Sequence, residues 1–428
     1  MAVDKELPVK DGTTLAGRYP AAKTGLTETP SGERTHIGFF GIRNAGKSSL
    51  VNRITDQELS VVSDVKGTTT DPVKKAMELL PLGPVLIIDT PGFDDEGKLG
   101  SERVRKTKDI LRTCDIAVLV IDAEIGLGDT DKELLELIKE RKIPYLTVFN
   151  KTDIAALHEV PEGAVKVSAY TGEGIDDLKE RLARLMPEGH EKQLAGDLVS
   201  PGDLCVLVCP IDESAPKGRL ILPQQLAIRD LMDAGAIPVV CRDTELQTTL
   251  NKLGTRPALV ITDSQAFKKV SALVPDEVPL TSFSILMARY KGFLETAVKG
   301  VGIIKGLKDN DRILMAEGCT HHRQCNDIGT VKIPNWLRSY SGKELSIETC
   351  SGNEFPEDLT SYRMVIHCGG CMLTENTLKA RMEAAISQGV PFTNYGLVIA
   401  YMTGILERSL RMFPFLHGFL KEDADAGA

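Results

Sequence analysis

The 428-residue sequence predicts an α/β protein of three successive units with mainly parallel sheets. Three observations carry that prediction. The length is about three times that of a common domain. From Thr35 onward, apolar runs of strand length alternate with helical patterns. Aromatic residues make up only 5% of the chain, with a single Trp, so the cores must be built from Val, Ile, Leu and Ala, as in buried parallel sheets.

The elements follow in order. Residues 1–34 are polar, rich in Thr, Lys and Gly, and read as an N-terminal arm. Residues 35–190 alternate HIGFFG, KSSLVNRI, PVLIIDT, ERVRKTKDILRTC, DIAVLVID, DTDKELLELIKERK, IPYLTVFN, VKVSA and GIDDLKERLARLM, which is one doubly wound domain. PEGHEKQLAGD reads as a linker. Residues 197–282 hold DLCVLVCPI, a helix, IPVVCR, a helix and PALVITD. This unit is too small to cover both faces of a sheet alone, and pairing with a second copy is the expected remedy. Residues 283–428 form a third α/β unit in which cysteines follow the runs RILMAEG and RMVI. No repeat of fixed period and no low-complexity segment is evident.

Charge and hydropathy exclude several classes. Lys and Arg total 51 against 60 Asp and Glu, a formal charge of −9, which argues against a chain whose main business is coating nucleic acid or an anionic membrane. With 42% hydrophobic and 26% charged residues, a mostly disordered chain is excluded. No apolar run approaches the roughly 20 residues of a membrane span; Tyr395 to Leu406 is short and meets Glu407 and Arg408. MAVDKELPVKDGTT lacks the apolar core of a secretory signal. The nine cysteines are therefore expected in a reducing cytoplasm, where clustered thiols point to metal or redox chemistry.

The most specific motif is Gly41-Ile42-Arg43-Asn44-Ala45-Gly46-Lys47-Ser48, between a strand and a helix that continues with Ser49. Its backbone amides, Ala45 and Gly46 included, would cradle phosphates; Lys47 would reach the β and γ phosphates and Ser48 would ligand Mg2+. Asp89-Thr90-Pro91-Gly92 ends PVLIID, which sets a carboxylate near the metal and the Gly92 amide near the γ phosphate. Asn150-Lys151-Thr152-Asp153 ends YLTVF, and Asp153 is an acceptor pair suited to guanine N1–H and the 2-amino group. Ser168-Ala169 follows the next strand, where an amide would meet guanine O6. These elements, in this order, resemble the translation-factor-related class of small GTPases over about residues 35–186.

Gly67-Thr68-Thr69-Thr70-Asp71 resembles the first switch of the bacterial tRNA-modification GTPases, and that resemblance makes Thr69 the sensor of Mg2+ and the γ phosphate. The residue after Gly92 is Phe93, which cannot orient water. In related GTPases with an Asn where Asn44 stands, K+ supplies the charge an arginine finger otherwise gives. Slow, K+-stimulated, switch-like hydrolysis is the expectation, with Lys47, Asn44, Thr69 and Gly92 as its catalytic set and GTP or GDP as ligand.

Cys319-Thr320-His321 and His367-Cys368-Gly369-Gly370-Cys371 each follow a strand-like run. Parallel strands would bring both ends to one edge. Three thiolates suit a 4Fe-4S cubane with one iron left open; a zinc site completed by histidine and a redox dithiol are the alternatives. Cys205, Cys209, Cys241 and Cys114 read as core residues, Cys325 as a spare ligand at most, and Cys350 as a residue of a polar loop. His321, His367 and Asp212 are candidate occupants of the fourth position.

Taken together, the three units and both motifs resemble the HydF family of iron-only hydrogenase maturation GTPases over nearly the whole chain. The resemblance implies a P-loop GTPase domain, an α/β dimerisation domain and an α/β cluster-binding domain, in that order. It also implies a cytoplasmic homodimer that binds a 4Fe-4S cluster on Cys319, Cys368 and Cys371. The implied role is to receive the two-iron precursor from radical-SAM maturases and pass it to apo-hydrogenase, with no nucleic acid or membrane as partner. Two other classes compete: an RNA-associated GTPase, which usually carries a basic module absent here, and an iron–sulfur redox enzyme, which needs a second catalytic constellation.

Overall fold

A computed structural model describes residues 29–55, 72–93, 98–155, 161–186, 194–211, 220–318, 327–352, 354–416 and 419, with backbone only at 98–104. The first sheet is built from β1 (Thr35–Phe40), β2 (Val73–Leu79), β3 (Gly83–Asp89), β4 (Ile116–Asp122), β5 (Tyr145–Asn150) and β6 (Val165–Lys166). Their order is β2-β3-β1-β4-β5-β6, all parallel except β2. Helices α1 (Lys47–Thr55), α2 (Lys98–Leu111), α3 (Asp129–Glu140) and α4 (Ile175–Leu185) cover the two faces.

Sequence explains the layering. Every residue of the central strand β4 is buried, which matches its unbroken apolar run; the antiparallel edge strand β2 is mostly exposed and reads VKKAMEL. Ile37, Phe39, Val118 and Val120 pack on one face with Leu50 and Leu178, whereas Phe40, Leu119 and Ile121 pack on the other with Leu134 and Ile138. The alternation of side chains along each strand thus produces two separate cores.

The second sheet comprises β7 (Leu204–Val208), β8 (Ile237–Cys241), β9 (Leu259–Thr262) and β10 (Leu280–Ser282), with α5 (Leu222–Asp233), α6 (Leu246–Leu253) and α7 (Phe267–Leu273) in its connections. Then come α8 (Phe283–Tyr290) and α9 (Leu294–Val301). The third sheet comprises β11 (Arg312–Glu317), β12 (Ser346–Ser351), β13 (Met364–His367) and β14 (Phe392–Asn394), with α10 (Ile333–Ser341) and α11 (Glu375–Ser387) between strands and α12 (Tyr395–Met402) and α13 (Leu406–Leu410) after them. Both sheets are parallel, with orders β10-β9-β7-β8 and β12-β11-β13-β14. In each the first strand lies beside the second and the third, so the point where strand order reverses falls between β7 and β9 and between β11 and β13.

Three sequence expectations need correction. The second and third sheets repeat one topology, which a search for a fixed period misses because the connecting loops differ in length. The linker expected through Asp197 is packed in its second half: Leu194 and Ala195 are buried, and Asp230 Oδ2 accepts the Ala195 and Gly196 amides at 2.7 and 2.6 Å. Cys350 is not in a polar loop. It lies in β12 opposite Ala316 and is buried, which pushes its thiol up to about 11.

Candidate nucleotide and cysteine sites

The phosphate loop leaves β1 at Gly41 and enters α1 at Lys47, as strand–loop–helix context requires. Asn44 sits in the left-handed region at φ 63° with an exposed side chain. Lys47 is buried, and its Nζ donates to Gly41 O at 3.1 Å and Ile42 O at 2.8 Å, which ties the ammonium across the loop it serves. Ser48 Oγ donates to Asp89 Oδ2 at 2.6 Å. The two oxygens expected to share a magnesium ion therefore lie side by side. Ser49, the next residue, is exposed on α1. Gly92 packs against the backbone of Arg43, and Phe93 is buried in the core with its amide donating to Gly41 O at 3.1 Å. Phe93 is thus a structural anchor. Thr69 lies outside the described residues.

Residues 150–153 and 168–169, expected to meet the base, converge on the loop from the ends of β5 and β6. Asn150, the last residue of β5, donates from Nδ2 to Ala45 O at 3.1 Å and accepts the Ala169 amide on Oδ1 at 3.0 Å. It therefore pins the Ser168-Ala169 segment to the phosphate loop. Ser168 Oγ donates to Asp153 Oδ1 at 2.7 Å, which orients an otherwise exposed carboxylate. Lys151 Nζ pairs with the buried Asp122 Oδ2 at 2.5 Å.

Two acids in this region escaped the sequence reading. Asp122 ends an apolar strand and gave no signal beyond its position. Asp131, fully buried at the start of α3, accepts the Gly128 amide at 3.1 Å. Burial raises its carboxyl above the ordinary range, countered by the backbone amides of Gly128 and Ile42 and by the charge of Lys47. DTDKELLELIKERK reads only as a helix; the place of Asp131 behind the phosphate loop is a tertiary fact.

The cysteine site stands at the reversal point of the third sheet. Cys368 and Cys371 follow β13, half-buried, beside the end of β11. Cys368 Sγ accepts the Gly318 amide at 3.1 Å and the Gly370 amide at 3.4 Å. Burial pushes the Cys368 thiol up to about 11, with both amides pulling it down, and burial also raises Cys371, opposed by Lys291. A sulfur already holding two N–H donors suits a metal-bound thiolate, whose charge those donors stabilise. Cys319, His321 and Asp212 lie outside the described residues, as does Cys325. Among the described residues no group of three or more His, Cys, Asp or Glu is placed to hold a metal.

His367 is corrected as a candidate fourth ligand. It is fully buried, with Nδ1 2.8 Å from Cys368 O and Nε2 3.0 Å from Arg381 NH1. Burial, followed by the charge of Arg381, lowers it to about 3, so the ring is neutral and both nitrogens are engaged. Its role is to hold the Cys368 backbone. The other predicted core cysteines, Cys114, Cys205, Cys209 and Cys241, are buried.

The cysteine loop touches the nucleotide domain at the end of β1 opposite the phosphate loop. The turn Ser31–Glu33 before β1 lies on the cysteine loop so closely that a Cβ at Gly32 would come within 2.7 Å of Cys371 O. Lys291, only 3% exposed, donates to Gly32 O at 3.0 Å and Glu33 Oε1 at 2.8 Å, and Tyr290 OH donates to Glu33 Oε2 at 2.7 Å. Asn376 Nδ2 donates to Asp115 Oδ1 at 2.8 Å, and Asp115 Oδ2 accepts the His36 amide of β1, also at 2.8 Å.

Family models match three successive stretches of the chain. Residues 36–151 match the family described as 50S ribosome-binding GTPase, residues 194–292 the hydrogen maturase F dimerization domain, and residues 295–412 the hydrogen maturase F tetramerization domain. Among curated relatives, GTPase Der of Wolinella succinogenes is 37% identical over 177 residues, covering 37% of this chain and 37% of its own. The tRNA modification GTPase MnmE of Dechloromonas aromatica is 36% identical over 159 residues, covering 35% of this chain and 34% of its own. The chain thus spans little more than a third of the length of these relatives. Among solved structures, an Aquifex aeolicus Era variant bound to GDP·AlF4− aligns at 21% identity with a TM-score of 0.34, covering 48% of this chain and 92% of that one. No helix among the described residues is long and apolar enough to cross a membrane. With a GTPase domain followed by both maturase domains, the chain belongs to the hydrogen maturase F family.

Proposed function

We propose that the chain is a GTP-dependent scaffold that holds a 4Fe-4S cluster on Cys319, Cys368 and Cys371 and delivers the two-iron precursor to apo iron-only hydrogenase. The observation that carries this reading is the receptacle at the end of β13: Cys368 Sγ accepts two backbone N–H groups beside the strand end that leads into Cys319. Donors of that kind stabilise the thiolate charge a cluster requires. Held by three thiolates, the cluster would supply one iron open to a ligand that can leave. Radical-SAM maturases are the proposed source of the precursor.

In the nucleotide site, Lys47 neutralises phosphate charge, Ser48, Asp89 and Thr69 hold Mg2+, and Asp153 selects guanine. The Asn44 side-chain oxygen is the proposed K+ ligand, so hydrolysis is slow and K+-stimulated. The proposed assembly is a cytoplasmic homodimer joined through β8. That strand is an edge of its sheet with no further strand beside it among the described residues, and Ile237, 50% exposed, and Val240, 44% exposed, make it an apolar edge that favours strand addition. An RNA-associated GTPase shares the first domain but leaves residues 194–412 without a role.

The test is anaerobic reconstitution followed by iron and sulfide analysis and an assay of hydrogenase activation. Cluster-bound protein that activates apo-hydrogenase, and loses both properties on Cys368→Ala, agrees with the proposal. Stoichiometric zinc with no iron overturns it.

A further inference from the structure

The second and third sheets share more than strand order. Cys205 pairs with Leu259 and Pro238 as Ile313 pairs with Met364 and Ile347, and Leu280 pairs with Val260 as Phe392 pairs with Val365. Bonds outside the ladders repeat as well. Ile237 N–H donates to Asp203 O as Ser346 N–H donates to Asp311 O; Ala258 donates to Leu204 O as Arg363 donates to Arg312 O. The Ser200 amide meets Asp203 Oδ2 and the Lys308 amide meets Asp311 Oδ2, both at 2.8 Å.

The match continues into the helices. Ser282 caps α8 through the Ile285 amide, Asn394 caps α12 through the Leu397 amide, and Gly292 and Gly404 both take φ +76° at the helix ends. On this register VPLTSFSILMARYKGFLE (278–295) aligns without a gap on VPFTNYGLVIAYMTGILE (390–407).

The two units also close on each other reciprocally. Helix α9, which follows the second sheet, packs on β14 of the third, and α13, which follows the third, packs on β10 of the second. A Cβ at Gly396 would lie 2.9 Å from Ser284 Cβ and 3.1 Å from Ser264 Oγ, and one at Gly369 would lie 3.8 Å from Ser284 Oγ. Gly396 is the counterpart of Ser284, and Gly369 of Ser264. A contact between i and j′ matched by one between j and i′ is what a twofold axis demands. One continuous hydrophobic core accordingly runs from Leu194 to Leu416, whereas the nucleotide domain has two cores of its own.

We infer that residues 200–301 and 308–410 are two copies of one fold, joined in a single chain as an internal helix-exchanged dimer that folds as one unit. The copy with the cysteines uses its sibling as a wall of its site, because Ser284 and Met287 of α8 face Gly369 between Cys368 and Cys371. In the sibling, Asp263 and Ala266 occupy the places of Cys368 and Cys371, so that pair of thiols has no counterpart there. This duplication is independent of what the cysteines hold.

Amide hydrogen exchange on the full-length protein, across a urea series, tests the inference. Peptides covering 204–208 and 312–317 are expected to open with the same denaturant dependence. Gly396→Ala should accelerate exchange in both by the same factor, about tenfold or more, and adding Ser284→Gly should restore most of the protection. Separate opening of the two strands in the unaltered protein, or an effect of Gly396→Ala confined to 312–317, overturns it.

Discussion

Glu33 and Lys291 meet at 2.8 Å across the boundary between the nucleotide domain and the unit that follows it. Glu33 stands two residues before β1, and Lys291 ends α8 with its charge beside Cys371. The pair is a polar seam between the nucleotide domain and the cysteine loop. Removing one partner leaves the other charge buried, at a cost of about 3 kcal/mol for a pair of this kind. Lys291→Met is therefore expected to destabilise the fold by about that amount, and Glu33→Gln added to it should recover part of the loss. A double-mutant cycle in urea checks this; a coupling below about 0.5 kcal/mol contradicts the buried pair.

Guanine selection is expected to rest on Asp153. Ser168 holds its carboxylate at 2.7 Å, so both oxygens remain acceptors in a fixed plane. Asp153→Asn replaces an acceptor with a donor facing guanine's own donors. GTP affinity should fall roughly a hundredfold or more while xanthosine triphosphate gains. Equal binding of ATP and GTP by the unaltered protein refutes the assignment.

Hydrolysis should respond to the monovalent cation through Asn44. Its left-handed backbone and exposed side chain set a hard oxygen at the rim of the phosphate loop. Replacing K+ by Na+ should slow turnover, and Asn44→Ala should abolish most of that difference while GTP binding persists. Identical rates in the two salts count against the cation site.

Much of the nucleotide domain was legible because each motif carries its own context: Lys47 and Ser48 open a helix, and Asp89 and Asn150 end strands. Those residues act next to the backbone that positions them. Asp131 and Asp122 were illegible for the opposite reason, since their partners Ile42 and Lys151 come from other elements. The duplicated fold was hidden by loops of unequal length and by Cys368 standing where its sibling has Asp263. Cys350 shows the limit of local reading: SIETCSG looks polar, yet pairing with β11 turns that cysteine into the core.

Acid should loosen the seam through His36. Burial lowers this histidine below its ordinary 6.5, with the Ser31 carbonyl, which accepts from the ring, opposing the shift. The unfolded chain takes up a proton near pH 6.5, whereas the folded chain does so only at lower pH. The contribution is therefore complete above 6.5 and is lost as pH falls below it. Urea midpoints at pH 7.5 and 5.5 should differ less in His36→Gln than in the unaltered protein. An unchanged difference assigns the acid sensitivity elsewhere.

The central claim is that three cysteines of this chain hold one 4Fe-4S cluster with an open iron. Mössbauer and electron paramagnetic resonance spectra of anaerobically reconstituted protein, with Cys319→Ala, Cys368→Ala and Cys371→Ala alongside it, test that most directly. The account predicts one cubane with a single iron that changes its signal on adding an exogenous ligand, lost in each variant while GTP hydrolysis continues. Four cysteine ligands, or an intact cubane in Cys319→Ala, would contradict it.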